Sequence, residues 1–244
     1  MNKARSKDRI VFDGQPLTIE DVCLLARQQS ALELSQNPEF IERIDKGAWF
    51  IETLLQEQGF VYGVTTGFGD SCTVPIPLDL VGELPRHLYT FHGCGLGQHF
   101  DEQQTRAILA VRLNSLAQGF SGVRYELLQQ LAALLQHDIL PLIPQEGSVG
   151  ASGDLTPLSY VAAVLAGERE VIYQQQRQPT QAVFAHLNIE ALTLKPKEGL
   201  AIMNGTAVMT AIACLAYQRA EYLSRLSTRI TSHTGKTMTA PSRK

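Results

Sequence analysis

The chain has 244 residues, of which 44% are hydrophobic and 18% charged, and its formal net charge is -3. That is enough apolar material for one large or two modest domains with a real core. No block of lysine or arginine is present, which excludes the electrostatic footprint of a nucleic-acid backbone or an anionic membrane, so neither is an expected partner.

Taken in chain order, residues 1–12 mix charged and apolar residues without the apolar run of a signal peptide. Thr18 followed by Asp21 has the form of a capping box opening a helix through Val22, Leu24, Leu25 and Ala26. Ile41, Ile44, Ala48, Ile51, Leu54 and Leu55 recur at helical spacing over residues 40–58, with Gly59 as a stop. Residues 62–69 hold three glycines in eight positions and no helical period, which predicts a loop. Residues 105–117 and 125–136 read as helices, the second carrying a stripe of Leu127, Leu128, Leu131, Leu134 and Leu135. Pro141 and Pro144 end it and lead into a Gly/Ser-rich loop over 145–153. Asp154 is placed to cap the next helix, whose first turn tolerates Pro157 and whose body is 158–165. Residues 171–173 and 182–184 read as two short strands of one hairpin. Residues 199–226 read as one long apolar helix of a bundle, and Asn204, Gly205, Thr206 and Thr210 within it argue against a membrane span. From Thr231 to Lys244 the Ser/Thr/Lys-rich tail has no period and is expected to be disordered.

Cys23, Cys72, Cys94 and Cys214 are scattered without CxxC spacing, which suits free thiols and a cytoplasmic location. His87, His92 and His99 are not at intervals usual for zinc, and no metal is expected. The loop from Gly147 through Asp154 delivers small residues to a helix start, a common anion site. It is not a P-loop, because Asp154-Leu155 follows its last glycine, and it is not a nucleophile elbow, because Asp154 stands where the final glycine belongs. Read by spacing alone, it is equally well a structural helix entry. Tyr62 beside a glycine-rich loop and Asn204 in an apolar run have ordinary packing explanations as well.

Ala151-Ser152-Gly153-Asp154 followed by Leu155-Thr156-Pro157-Leu158-Ser159 resembles the signature of the aromatic amino acid ammonia-lyases and their related aminomutases. Three further motifs agree in order: Tyr62 to Gly69, Arg112-Leu113-Asn114 through Gly122, and Glu198 to Thr206. The resemblance covers residues 10 to 228. It implies a mainly α fold. A cofactor-bearing domain over 1–198, with minor β hairpins, is followed over 199–230 by the first helix of a central bundle, and 231–244 forms an atypical tail. It also implies a 4-methylidene-imidazole-5-one formed from Ala151, Ser152 and Gly153. Glycine and alanine permit the close approach and dihedrals that ring closure needs, and the following helix would set its positive end near negative charge on the ring.

The implied reaction is non-oxidative elimination of ammonia from an aromatic L-amino acid. Tyr62 matches the family's catalytic base, which must act as a phenolate and so needs donors near its oxygen. Asn204 matches the asparagine that contacts cofactor and substrate, while Gly150 and Asp154 flank the ring and shape its loop. Phe91 and His92 fall where the family senses the substrate ring. His92 is like the histidine-selective pattern and Phe91 more like the phenylalanine-selective one. Histidine is the expected substrate, giving urocanate, with tyrosine lyase or aminomutase activity as the alternative. Family members are longer homotetramers whose remaining site groups, a carboxylate-binding arginine and a tyrosine from a neighbouring subunit, have no counterpart assigned here. The change of pattern after Ile230 reads as a truncation or frameshift. A chain so shortened is expected to be poorly stable and nearly inactive, or to be a non-catalytic fragment that associates with a full-length relative.

Overall fold

The computed structural model describes residues 8–58, 60–77, 79–150 and 153–238. Among these residues the fold is mainly helical with three small sheets. β1 (Arg9–Phe12) runs parallel to β2 (Ala31–Leu34), and α1 (Ile19–Ala26) crosses between them. Ile10 and Phe12 alternate inward from β1 and are buried. Both arms of the Thr18–Asp21 capping box form at the start of α1. The long α2 (Pro38–Gln58) then leads to an irregular loop ending in a short 3-10 turn, Gly69–Thr73, and to α3 (Leu84–Phe91).

β3 (Leu96–His99) is followed by α4 (Glu102–Ala117), α5 (Tyr125–Gln136), the two-residue β4 (Leu140–Pro141) and β5 (Pro144–Glu146). α4 begins one turn earlier than its apolar period suggests, because Asp101 and Gln104 form a capping box of polar residues. α4 packs against α1, α5 and, later in the chain, α9 (Ala207–Met238). Ile108, Leu109, Leu113 and Leu116 on α4 and the α5 leucines 127, 128, 131 and 134 are fully buried, and together they form the centre of the core.

The remaining elements are α6 (Leu155–Leu165), β6 (Glu170–Tyr173), β7 (Gln176–Pro179), α7 (Thr180–Leu187), α8 (Glu198–Met203) and α9 (Ala207–Met238). β4, β6 and β7 form one antiparallel sheet, and β5 pairs with β3. Of these pairings only β6–β7 is a hairpin. It differs from the expected one, since residues 182–184 lie within helix α7. The turn is made by Gln174 and Gln175, both at positive φ (51° and 61°), the geometry of a tight hairpin, and the polar β7 sequence carries no apolar alternation by which to recognise it.

Two further expectations are corrected at the C-terminal end. The apolar run from Gly199 is two helices rather than one, parted at Asn204, Gly205 and Thr206. α9 then continues to Met238, so residues 231–238 are helical rather than an aperiodic tail, while 239–244 lie outside the described residues. Its Ser/Thr content is tolerated because hydroxyls bond back within the helix, Thr228 to Ser224 O at 3.0 Å and Thr234 to Ile230 O at 2.9 Å. By length and composition the stretch Glu198–Thr234 could cross a bilayer. Half of its most apolar window is buried against the rest of the protein, as in a core helix of a bundle.

Candidate active site

A cleft of about 630 Å³ opens between the loop after α2, α3 and the junction of α8 with α9. Tyr62, Phe91, His92 and Asn204 all line it, four residues spread over more than half the chain. Leu84, Leu88 and Leu200 give it an apolar wall, and Leu155, the first residue of α6, brings the positive end of that helix to it.

Tyr62 is held by a self-braced loop. Thr65 Oγ1 accepts the Val61 N–H at 2.7 Å and Thr66 Oγ1 accepts the Gly63 N–H at 3.1 Å, and both threonines are buried. Gly63 sits at φ +66°, and a Cβ there would lie 2.8 Å from Phe68 and Leu200, so only glycine fits. The chain turns back so that the Gly69 N–H donates to the Tyr62 phenolic oxygen at 3.1 Å. The Tyr62 ring is half exposed in the cleft rather than packed in the core.

Phe91 and His92 end α3. The His92 N–H donates to Leu88 O at 3.1 Å, and its ring meets Phe91 edge-on with centroids 5.3 Å apart. Partial burial pushes the imidazole pKa below the ordinary histidine value, favouring the neutral ring. The turn after it is fixed by Gly93 O, which accepts from Tyr160 Oη at 3.2 Å and from Arg169, whose guanidinium lies 4.0 Å over the Tyr160 ring. Glu168 holds the outer face of α3, accepting from Tyr89 Oη at 3.0 Å and Arg86 Nε at 3.1 Å. Burial and this neighbouring carboxylate push the Tyr89 phenol up to about 12.

Ala151 and Ser152 lie outside the described residues, and the description resumes at Gly153. Gly153 sits at φ +97°, and a Cβ on it would lie 2.6 Å from the Gly205 nitrogen, so the third residue of the tripeptide must be glycine. The Asp154 N–H donates to Gly205 O at 2.7 Å. A third residue with no Cβ and a left-handed backbone is compatible with a cyclised tripeptide, so the described residues fit the methylidene-imidazolone.

The Asp154 side chain does not cap α6, as its place in the sequence suggests. Its fully buried carboxylate accepts the Val208 N–H at 2.8 Å, the Met209 N–H at 3.0 Å and the Ser148 hydroxyl at 2.8 Å, so it caps α9 instead. Among the described residues no side chain caps the first N–H groups of α6, and Leu155 at that end lines the cleft. Asn204, expected as an amide inside an apolar helix, is exposed at the C-terminus of α8 with extended backbone (φ -88°, ψ 101°). Sequence reasoning missed the cap on α9 and the residue beneath the break, Arg112, because both act across long stretches of chain. Among the described residues no cluster of His, Cys, Asp or Glu could hold a metal ion.

The fold is mainly helical, with a glycine-bearing loop pressed on a split helix beside a cleft lined by a tyrosine. Residues 17–244 match the family model for aromatic amino acid lyases, and the chain belongs to that family. It is 43% identical over 225 residues to a histidine ammonia-lyase of Bacillus velezensis, covering 92% of this chain and 44% of that protein. A histidine ammonia-lyase of Shouchella clausii is 42% identical over 215 residues, covering 88% and 43%. Among solved structures it is similar to a tyrosine aminomutase from Streptomyces globisporus (TM-score 0.81, 38% identity, 87% of this chain and 39% of that one). It is also similar to a histidine ammonia-lyase from Trypanosoma cruzi (TM-score 0.80, 31% identity, 89% and 42%). The chain thus spans less than half the length of these relatives.

Proposed function

We propose that the chain carries the cofactor loop and half-site of an ammonia-lyase acting on L-histidine, releasing ammonia and urocanate without oxidation. The observation that carries this reading is the single cleft uniting Tyr62, His92 and Asn204 beside Gly153 and the positive end of α6. The Ala151-Ser152-Gly153 group, a 4-methylidene-imidazole-5-one, supplies when formed a strong electrophile that standard side chains lack. Ammonia is a poor leaving group and the β-hydrogen of an amino acid is weakly acidic, so the site must help with both.

Tyr62 is the base for the β-hydrogen. As a phenolate its oxygen accepts the Gly69 N–H, a donor already in place at 3.1 Å. The apolar wall of Leu84, Leu88 and Leu200 receives the substrate ring and excludes water around it. Neutral His92 offers one ring nitrogen as donor and one as acceptor, suited to an imidazole. The Asn204 amide orients the amino acid, and the uncapped start of α6 favours negative charge as it develops. Assembly as a homotetramer and a cytoplasmic location belong to the same reading.

A second reading, tyrosine lyase or aminomutase, is favoured by the tyrosine aminomutase likeness and by the capacity of His92 to bond a phenol. Incubation with histidine, tyrosine and phenylalanine, followed by near-ultraviolet absorbance of the unsaturated acid, separates the two. Intact mass should show the loss of two waters, abolished by Ser152→Ala. A folded chain of unmodified mass that forms no product from any of the three would sink the proposal.

A further inference from the structure

Beneath the α8–α9 break lies a buried cation that the mechanism above does not use. Arg112, on the inward face of α4, is 3% exposed. Its Nη2 donates to Asn204 O at 3.1 Å and to Ala201 O, the last carbonyls of α8, and its Nε has no partner among the described residues. Burial pushes the guanidinium pKa down to about 10, and the charge of Asp154 opposes that fall. A cation therefore caps the negative end of α8 while the Asp154 carboxylate caps the positive start of α9. The two charges sit on either side of a break in a run whose composition favours one continuous helix. Gly205, inside the break, lies against Arg112 and Gly153: a Cβ on it would overlap Arg112 Nη1, and a Cβ on Gly153 would overlap Gly205.

We infer that Arg112 is the positioning residue that holds the Asn204–Gly205 turn open, presenting Asn204 to the cleft and pressing Gly205 on Gly153 so that the cofactor ring can close. This rests on the proposed cofactor reading. Ring closure forms a bond from the Gly153 nitrogen to the Ala151 carbonyl carbon. That oxygen leaves as water with the hydrogens of the Gly153 and Ser152 nitrogens. The Ser152 hydroxyl leaves as a second water with the Ser152 α-hydrogen, and no oxidant or reductant is required. The attack depends on where the Gly153 backbone is held, and a misplacement of about 1 Å is enough to cost roughly 100-fold in rate.

The test compares the whole chain with Arg112→Met, which keeps the side-chain bulk and removes charge and donors. Two readouts are followed: intact mass over time, and hydrogen exchange of the Asp154 amide, whose acceptor is Gly205 O. We expect the variant to remain cooperatively folded, to lose the two waters on the order of 100-fold more slowly, and to exchange the Asp154 amide faster while α5 amides are unchanged. Maturation at the wild-type rate would overturn the inference. If wild type itself keeps an unmodified mass, the cofactor reading fails and the exchange readout decides the positioning role alone: a faster Asp154 amide supports it and an unchanged one overturns it. Should Arg112→Met not fold, Arg112→Gln is judged by the same two criteria.

Discussion

In the proposed reaction Tyr62 is the base and His92 faces the substrate ring, and each makes a separate prediction. Tyr62→Phe keeps the ring against the cleft but removes the proton acceptor and the partner of the Gly69 N–H. Wherever wild type shows turnover, histidine deamination should fall by about 10²–10⁴, with the two-water mass loss retained. A rate near wild type in the absorbance assay would place the base elsewhere. For His92 the relevant variable is pH. Its folded pKa lies below the ordinary histidine value, so the unfolded chain takes up this proton at higher pH than the folded one. The stability contribution is therefore complete above the unfolded value and is lost as pH falls through it, levelling off below the folded value. The stability of wild type relative to His92→Gln, read from urea midpoints, should be constant at high pH and fall as the solution is acidified; a constant difference throughout would contradict it.

Capping shows how far a local rule carries at the level of helices. The Thr18–Asp21 box at α1 is legible in the sequence because both partners sit within one turn. Asp154 has the residue type of a cap, yet its bonds run to Val208 and Met209, more than fifty positions away, and only the folded chain shows which helix it serves. A second long-range anchor joins α8 to α5. Glu198 is buried and accepts from Arg124 Nε at 3.0 Å, Arg124 Nη2 at 2.8 Å and the backbone of Arg124 and Lys195. Glu198→Ala strands these donors. Because the Arg124 side chain keeps 20% exposure, the expected loss is near the low end for breaking a buried pair, about 3 kcal/mol. Denaturant unfolding measures it, and a loss below about 1 kcal/mol would show the pair to be as weak as a surface ion pair.

For the molecule as a whole, the core and the exposed length of α9 pull in different directions. Leu113, fully buried at the centre of the α4 packing, should cost about 3 kcal/mol when cut to alanine, read as a shifted urea midpoint at unchanged slope. Beyond Leu215 most of α9 is exposed, and Tyr217, Tyr222, Leu223 and Ile230 there are each more than half exposed, apolar surface that favours association. Sedimentation velocity should show concentration-dependent self-association that Leu223→Glu with Ile230→Lys weakens. A monomer at every concentration would remove the basis for an oligomer built on this helix.

The amino-acid sequence alone determined the mainly α class and the bounds of α5. It also marked the irregular loop bearing Tyr62 and, through motifs in order, the family. These are carried by periodicity, local capping and runs of specific residues, all of which operate within a few positions. Only the tertiary structure decided that the apolar run from residue 199 is split, that the hairpin lies at 170–179, and that Tyr62, His92 and Asn204 share a cleft. The physical reason is the same in each case. The split depends on Arg112 and Asp154 satisfying two helix ends from distant segments. The hairpin depends on pairing β7 to a neighbour rather than on its own apolar pattern. The cleft depends on α3 being clamped by the Glu168–Arg169 turn. Each is a free energy of contact between parts of the chain that no local window contains.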